Sequence, residues 1–275
     1  MAINPKPFIH PLDSKALAVL ESMPGLKALL REYIDLYEAK WSEGVFLSSC
    51  IRLNSRQMPH LYRIFEEVFD ALEMDEDIRP RCFLEMDPVP DAYAKGYYKK
   101  KFLVIKSALV EMLSRDELKV VIAHECGHAL CDHMIYKSLV RNVGKFGINL
   151  FGFQKLLQPF LWALLYWDRC SAFSCDRIAA YVMGDCDIVR DTLIRFAGGP
   201  HELTQDVNVD EYGRQIDELC NELSDSKYQS LLQLKVMIDQ KYPFTAIRCK
   251  EVAEWYNHPS TLLPTHKTHD SDRLL

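Results

Sequence analysis

Residues 114–128 read Ser114-Arg115-Asp116-Glu117-Leu118-Lys119-Val120-Val121-Ile122-Ala123-His124-Glu125-Cys126-Gly127-His128. Ser114 followed three residues later by Glu117 is a capping box: the serine oxygen accepts from the Glu117 backbone N–H while the glutamate reaches back to the Ser114 N–H. The spacing predicts a helix starting at Arg115, with Leu118, Val121, Ile122, Ala129 and Leu130 on its apolar face. Within it lies His124-Glu125-Cys126-Gly127-His128. Imidazoles four residues apart leave a helix on the same side and can share one ion. Glu125, turned by about 100° from His124, can reach a water on that ion.

The chemistry this implies is hydrolysis. Zn2+ held by His124, His128 and a third ligand lowers the pKa of its water to about 7 and polarises a scissile carbonyl. Glu125 is placed to take the proton as general base and return it to the leaving amine. The competing reading is a pair of surface histidines. A capped helix following a strand is the context the mechanism requires and favours the metal.

Outward from the motif, residues 57–72 carry Leu61, Ile64, Phe65, Val68, Phe69 and Leu72 at helical spacing, and residues 12–40 carry two apolar-periodic segments broken at Met23-Pro24-Gly25. Arg81 to Met86 and Phe102-Leu103-Val104-Ile105 have strand character and flank the turn-rich Asp87-Pro88-Val89-Pro90. Helical periodicity then returns, apart from a polar, acidic loop expected at about 200–215. The expected fold is α+β and mainly helical, with one small sheet. A single domain spans 1–256, with N-terminal helices in 1–72 and the catalytic core in 80–256, followed by a polar, mobile tail at 257–275.

The 275 residues hold 33 Lys+Arg against 39 Asp+Glu, a formal net charge of -6, which offers no positive field for nucleic acid. Nine cysteines without C-x-x-C pairs read as reduced thiols. Residues 1–13 lack the basic and apolar regions of a secretory signal, so the expected location is cytoplasmic. The most hydrophobic stretch, 146–167, is interrupted by Gln154, Lys155, Gln158 and Pro159 and falls short of the roughly 20 residues a membrane span requires. Its aromatic residues, Phe146, Phe151, Phe153, Phe160, Trp162, Tyr166 and Trp167, are read as mainly core packing. The alternatives are a greasy substrate channel and contact with a membrane surface.

Four segments carry a resemblance that covers most of the chain: Pro90-Asp91-Ala92-Tyr93-Ala94, residues 116–128, Ser171-Ala172-Phe173-Ser174-Cys175-Asp176-Arg177, and Tyr242-Pro243-Phe244-Thr245-Ala246-Ile247-Arg248 continuing to Trp255. On these, and on Phe8-Ile9-His10-Pro11-Leu12-Asp13, the chain resembles the gluzincin family of CaaX prenyl endopeptidases and HtpX-type zinc proteases. It is similar there to bacterial zinc-dependent proteases with chaperone function. The resemblance implies a zincin-like core in which the sheet's edge strand borders the His-Glu-x-x-His helix, one Zn2+ per chain, and peptides or unfolded proteins as substrates.

It also implies roles for individual residues. Asp91, Ala92 and Tyr93 would line the substrate as an edge strand, with Asp91 in place of the family's usual Asn; Asp91 as a plain turn residue is the alternative. Asp176 would orient a zinc-binding histidine. The third ligand of the family is a Glu four residues before that Asp, where this chain has Ala172, which cannot ligate. Asp168, Asp176 and Cys175 are the nearest substitutes, and a shift of about 6 Å along a helix is large for a bond of about 2 Å. Impaired activity is therefore expected, with a peptide-binding pseudoprotease as the alternative. Tyr242 stands where the family has a His and Arg248 where it has an Arg, so both are candidates to stabilise an oxyanion. Bracing of the last helix is the competing reading. His258, His266 and His269 belong to the tail, and Cys126 is read as a small residue packing beside Gly127.

Overall fold

A computed structural model of the chain describes residues 2–26, 28, 30, 43–97, 100–146, 154–224, 245–258 and 261. A 3-10 turn, Lys6–Phe8, leads into α1 (Pro11–Glu21), α2 (Glu43–Ser49), β1 (Ile51–Arg52) and α3 (Pro59–Ala71). The sheet is completed by β2 (Arg81–Glu85), β3 (Ala92–Tyr97) and β4 (Lys100–Lys106). Then follow α4 (Ser107–Met112), α5 (Arg115–Leu130), α6 (Met134–Phe146), α7 (Gln154–Met183), α8 (Asp187–Gly198), α9 (His201–Thr204), α10 (Val209–Ser224) and α11 (Thr245–Tyr256). The architecture is α+β and mainly helical, as the sequence implies.

The strand order is β1-β2-β4-β3, with β2 and β4 parallel and the other pairs antiparallel. Phe102, Leu103, Val104 and Ile105 on β4 are fully buried because helices cover both faces. Their alternation divides them between two cores. Leu103 and Ile105 join α3, α5 and α8, whereas Phe102 and Val104 pack with Phe83, Tyr93 and Phe46 of α2. On α3, Phe65, Val68 and Phe69 lie on the buried face, each contributing about 1.5–3 kcal/mol relative to exposure. A third cluster joins α1, α6 and α7 through Leu20, Leu139, Leu164 and Trp167.

The loop expected at 200–215 is not observed: α9 and α10 occupy it. The signal was Asn208, whose Oδ1 accepts from the backbone N–H groups of Asp210 and Glu211, both at 3.0 Å, and so caps α10. Acidic residues in a first turn favour a helix through its dipole, so polar composition alone misled. The helix of α7 runs through Pro159. Within the aromatic stretch Trp167 is fully buried and Trp162 is exposed, while Phe151 and Phe153 lie outside the described residues. No helix among the described residues is long and apolar enough to cross a membrane. His266 and His269 also lie outside the described residues.

Candidate active site

The capping box forms as its residues dictate: Glu117 N–H donates to Ser114 Oγ at 3.3 Å and Ser114 N–H to Glu117 Oε2 at 2.8 Å. The other Glu117 oxygen accepts from Arg195 Nε at 2.8 Å, anchoring α5 to α8. Further along α5, Gly127 faces α7 so closely that a Cβ there would lie 3.2 Å from the Cα, Cβ and Sγ of Cys175. This approach sets His124 and His128 against the side chains of α7.

His124 Nδ1 lies 2.9 Å from Asp176 Oδ1. Asp176 in turn receives Arg248 Nη2 on Oδ1 at 2.6 Å and Arg248 Nε on Oδ2 at 2.7 Å, a bidentate pair. Burial pushes the Asp176 carboxyl up, but the Arg248 charge and hydrogen bonds, with His124, outweigh it and hold the group down at about 2. With Nδ1 engaged by a carboxylate, Nε2 is the nitrogen His124 has left for a metal.

His128 is fully buried. Its Nδ1 lies 3.1 Å from His133 Nδ1 and 3.2 Å from Cys175 Sγ, while its Nε2 has no hydrogen-bond partner among the described residues. Burial drives His128 well below the usual histidine range, so the ring is neutral, as a metal ligand must be. A buried ring nitrogen with a lone pair and no partner is the fit expected of a metal ligand. His124, His128 and Cys175 each offer a ligand atom within 4.8 Å of the others.

Glu125 is buried, and its Oε2 accepts from the backbone N–H of Ala94 at 2.6 Å. Burial raises its carboxyl above the usual range, with the His124 and Lys137 charges opposing. Glu125, His124, Ala172, Asp176 and Arg248 all line one cavity of about 300 Å3, which Asp91, Ala92 and Tyr93 also line. Asp91 Oδ2 accepts from Arg141 Nη2 at 3.1 Å, and the Arg141 guanidinium stacks on the Tyr93 ring at 3.2 Å. Ala172 presents only a methyl group there.

Neither neighbouring carboxylate on α7 is uncommitted. Asp168, one turn before Ala172, accepts from Lys137 Nζ at 2.7 Å and from Arg169 Nη1 at 3.3 Å, and Asp176 is held by Arg248. Sequence reasoning had not singled out Lys137, Arg141 or His133. A local turn brings His133 to the site. Asp132 adopts a left-handed φ of 56°, which Asp tolerates, and closes α5 with a His133 N–H to His128 carbonyl bond of 3.0 Å. Tyr242 lies outside the described residues.

The sequence pattern of Peptidase family M48 matches residues 55–266. The chain is similar to the plastoglobule-localized metallopeptidase 48 of Arabidopsis thaliana chloroplasts, 29% identical over 258 residues, covering 90% of this chain and 72% of that protein. It is also similar to a protease HtpX homolog of Helicobacter pylori, 28% identical over 151 residues, and to protease HtpX of a Psychrobacter species, 24% identical over 136. Of the HtpX relatives it spans about half the length, 48% and 45%. No solved structure matches. A pattern that extends over most of the 275 residues shows that the chain belongs to peptidase family M48, a family of zinc-dependent metalloproteases.

Proposed function

We propose that the chain is built as a zinc metalloendopeptidase with a zincin-like core, and that Ala172 impairs its activity. The observation that carries this reading is the buried, unpartnered Nε2 of His128 one helical turn from His124, whose Nδ1 is committed to Asp176. His124 and His128 would hold the metal; bound zinc supplies an activated water and polarises the substrate carbonyl.

The chain's own residues provide the rest. Glu125, desolvated and facing the cavity, exchanges its Ala94 N–H for a water proton and delivers that proton to the leaving amine. Its place on the sheet edge sets it beside a peptide lying along Ala92–Ala94. The outward backbone groups of β3 are those of Ala92, Ala94 and Gly96, and Gly96 N–H already donates to Ser138 Oγ of α6 at 2.9 Å. An extended peptide would therefore pair with the Ala92–Ala94 end, near Asp91 and Tyr93. Arg248 holds Asp176, and through it His124, so it acts as a positioning residue. Tyr242, at the position where the family has a His, is the candidate donor to the oxyanion.

The test is zinc stoichiometry after saturation and desalting, followed by proteolysis of an unfolded protein such as casein. The Ala172→Glu protein should cleave faster than the parent, and adding Glu125→Gln should abolish the gain. An Ala172→Glu protein that binds zinc and remains inert sinks the protease reading.

The methyl group of Ala172 in the cavity wall favours a second reading, a non-cleaving peptide-binding protein. It requires peptide binding that survives chelation, and loss of binding with EDTA contradicts it.

A further inference from the structure

We infer that α1 takes part in the site: Asp13 acts through His133 to fix which nitrogen of His128 carries the proton, leaving Nε2 bare. The functional meaning of this rests on the proposed metal-facing role of His128; the tautomer itself does not.

His133 Nε2 lies 3.3 Å from Asp13 Oδ2, and His133 Nδ1 lies 3.1 Å from His128 Nδ1. All three side chains are buried. An ionised carboxylate only accepts hydrogen bonds, so His133 carries its proton on Nε2. The relay takes His133 as neutral: an imidazole protonated only on Nε2 has a bare Nδ1, which is an acceptor, whereas an imidazolium would donate from Nδ1 and put the His128 proton on Nε2, the pattern that overturns the inference. Of two facing ring nitrogens one must donate, so the shared proton sits on His128 Nδ1. His128 Nε2 then carries a lone pair, and this is the buried nitrogen without a partner. Cys175 Sγ, 3.2 Å from the same Nδ1, can share that N–H as a weak acceptor.

The carboxylate at the head of the relay is itself fixed. Trp167 Nε1 donates to Asp13 Oδ1 at 3.1 Å, and the Ser174 hydroxyl donates to Oδ2. Ser174 Oγ also accepts the His10 backbone N–H at 2.9 Å, which ties the start of α1 to α7. His124 receives its orientation separately, from Asp176. The two imidazoles thus take their tautomers from opposite parts of the chain, and Asp13 lies outside the matched residues 55–266. Asp13 and His133 are positioning residues in this scheme.

The experiment is side-chain 1H–15N correlation NMR on the full, metal-free chain labelled with 15N-histidine. Signals are assigned by omission in His128→Asn and His133→Asn. The expected pattern is His128 protonated on Nδ1 and His133 on Nε2. In Asp13→Asn the amide can donate to His133, so the two rings should reverse or mix tautomers. Trp167→Phe, which costs packing but keeps the carboxylate, should retain the parent pattern. A parent spectrum with the proton on His128 Nε2 overturns the inference, as does an unchanged pattern in folded Asp13→Asn. If Asp13→Asn does not fold, the parent spectrum alone decides. Addition of zinc separates the two proposals: the stated tautomers without zinc uptake support the relay and count against the metal reading, whereas reversed tautomers with zinc uptake do the opposite.

Discussion

Glu125 Oε2 and the backbone N–H of Ala94 lie 2.6 Å apart, so the base of the proposed reaction is docked on the sheet edge where a peptide would lie. Glutamine keeps an oxygen at that distance. Glu125→Gln is therefore expected to fold as the parent does, with Tm within roughly 4 °C, the shift that about 1 kcal/mol produces in a chain of this size. It should abolish peptide cleavage in any background that shows it. Calorimetry and a casein assay check the two halves, and a larger fall in Tm would mean that the Ala94 contact requires the charge.

Ala172→Glu places a carboxylate in the wall of the cavity that His124 also lines. Changes in even the surroundings of a metal ligand alter affinity by about 10–100-fold, so a restored ligand should tighten zinc by at least that much. Competition against a chelating dye measures it. Equal affinity in parent and variant would show that some other donor already completes the site.

Gly127→Ala tests the helix contact that assembles the site. Alanine gains about 1 kcal/mol of helix propensity, but its methyl would sit 3.2 Å from the Cα of Cys175, a backbone atom that cannot turn aside. Overpacking of this kind costs about 1–3 kcal/mol, so a net loss of stability is expected in urea unfolding. Weaker zinc uptake should accompany it, because the imidazoles move with α5.

The Glu117–Arg195 pair predicts an acid limb in stability. Burial alone would raise the Glu117 carboxyl, but the Ser114 hydrogen bonds and Arg195 outweigh it and leave the group below its usual range. A depressed folded pKa contributes stability that is complete above the unfolded carboxylate range, near pH 4, and is lost as pH falls through the lower folded value. Arg195→Met should cost about 3–5 kcal/mol at pH 7, since it strands a buried carboxylate. The loss relative to the parent should shrink below pH 4. A pH-independent difference would contradict the assignment.

Much of this molecule is written in short-range pattern. The capping box of α5, the spacing of Phe65, Val68 and Phe69 on α3 and the apolar run of β4 each depend on neighbours a few residues away, and periodicity exposes them directly. The helix α10 was hidden because its cap, Asn208, is a single side chain in a polar stretch, where composition resembles that of a loop. His133 was hidden although it is close to His128 in sequence, since only the left-handed turn at Asp132 brings it back under the ring.

By itself the sequence determined that His124, Glu125 and His128 share a capped helix and that Ala172 cannot be a ligand, because a 3.6-residue period and the identity of a side chain are local facts. Only the tertiary structure decided which groups meet those imidazoles. Asp176 reaches His124 with Arg248 behind it, Asp168 is bound to Lys137, and Asp13 reaches His133 from the N-terminal helix. Those partners lie far apart along the chain, and their pairing follows from how closely α1, α5 and α7 pack, which no local period encodes.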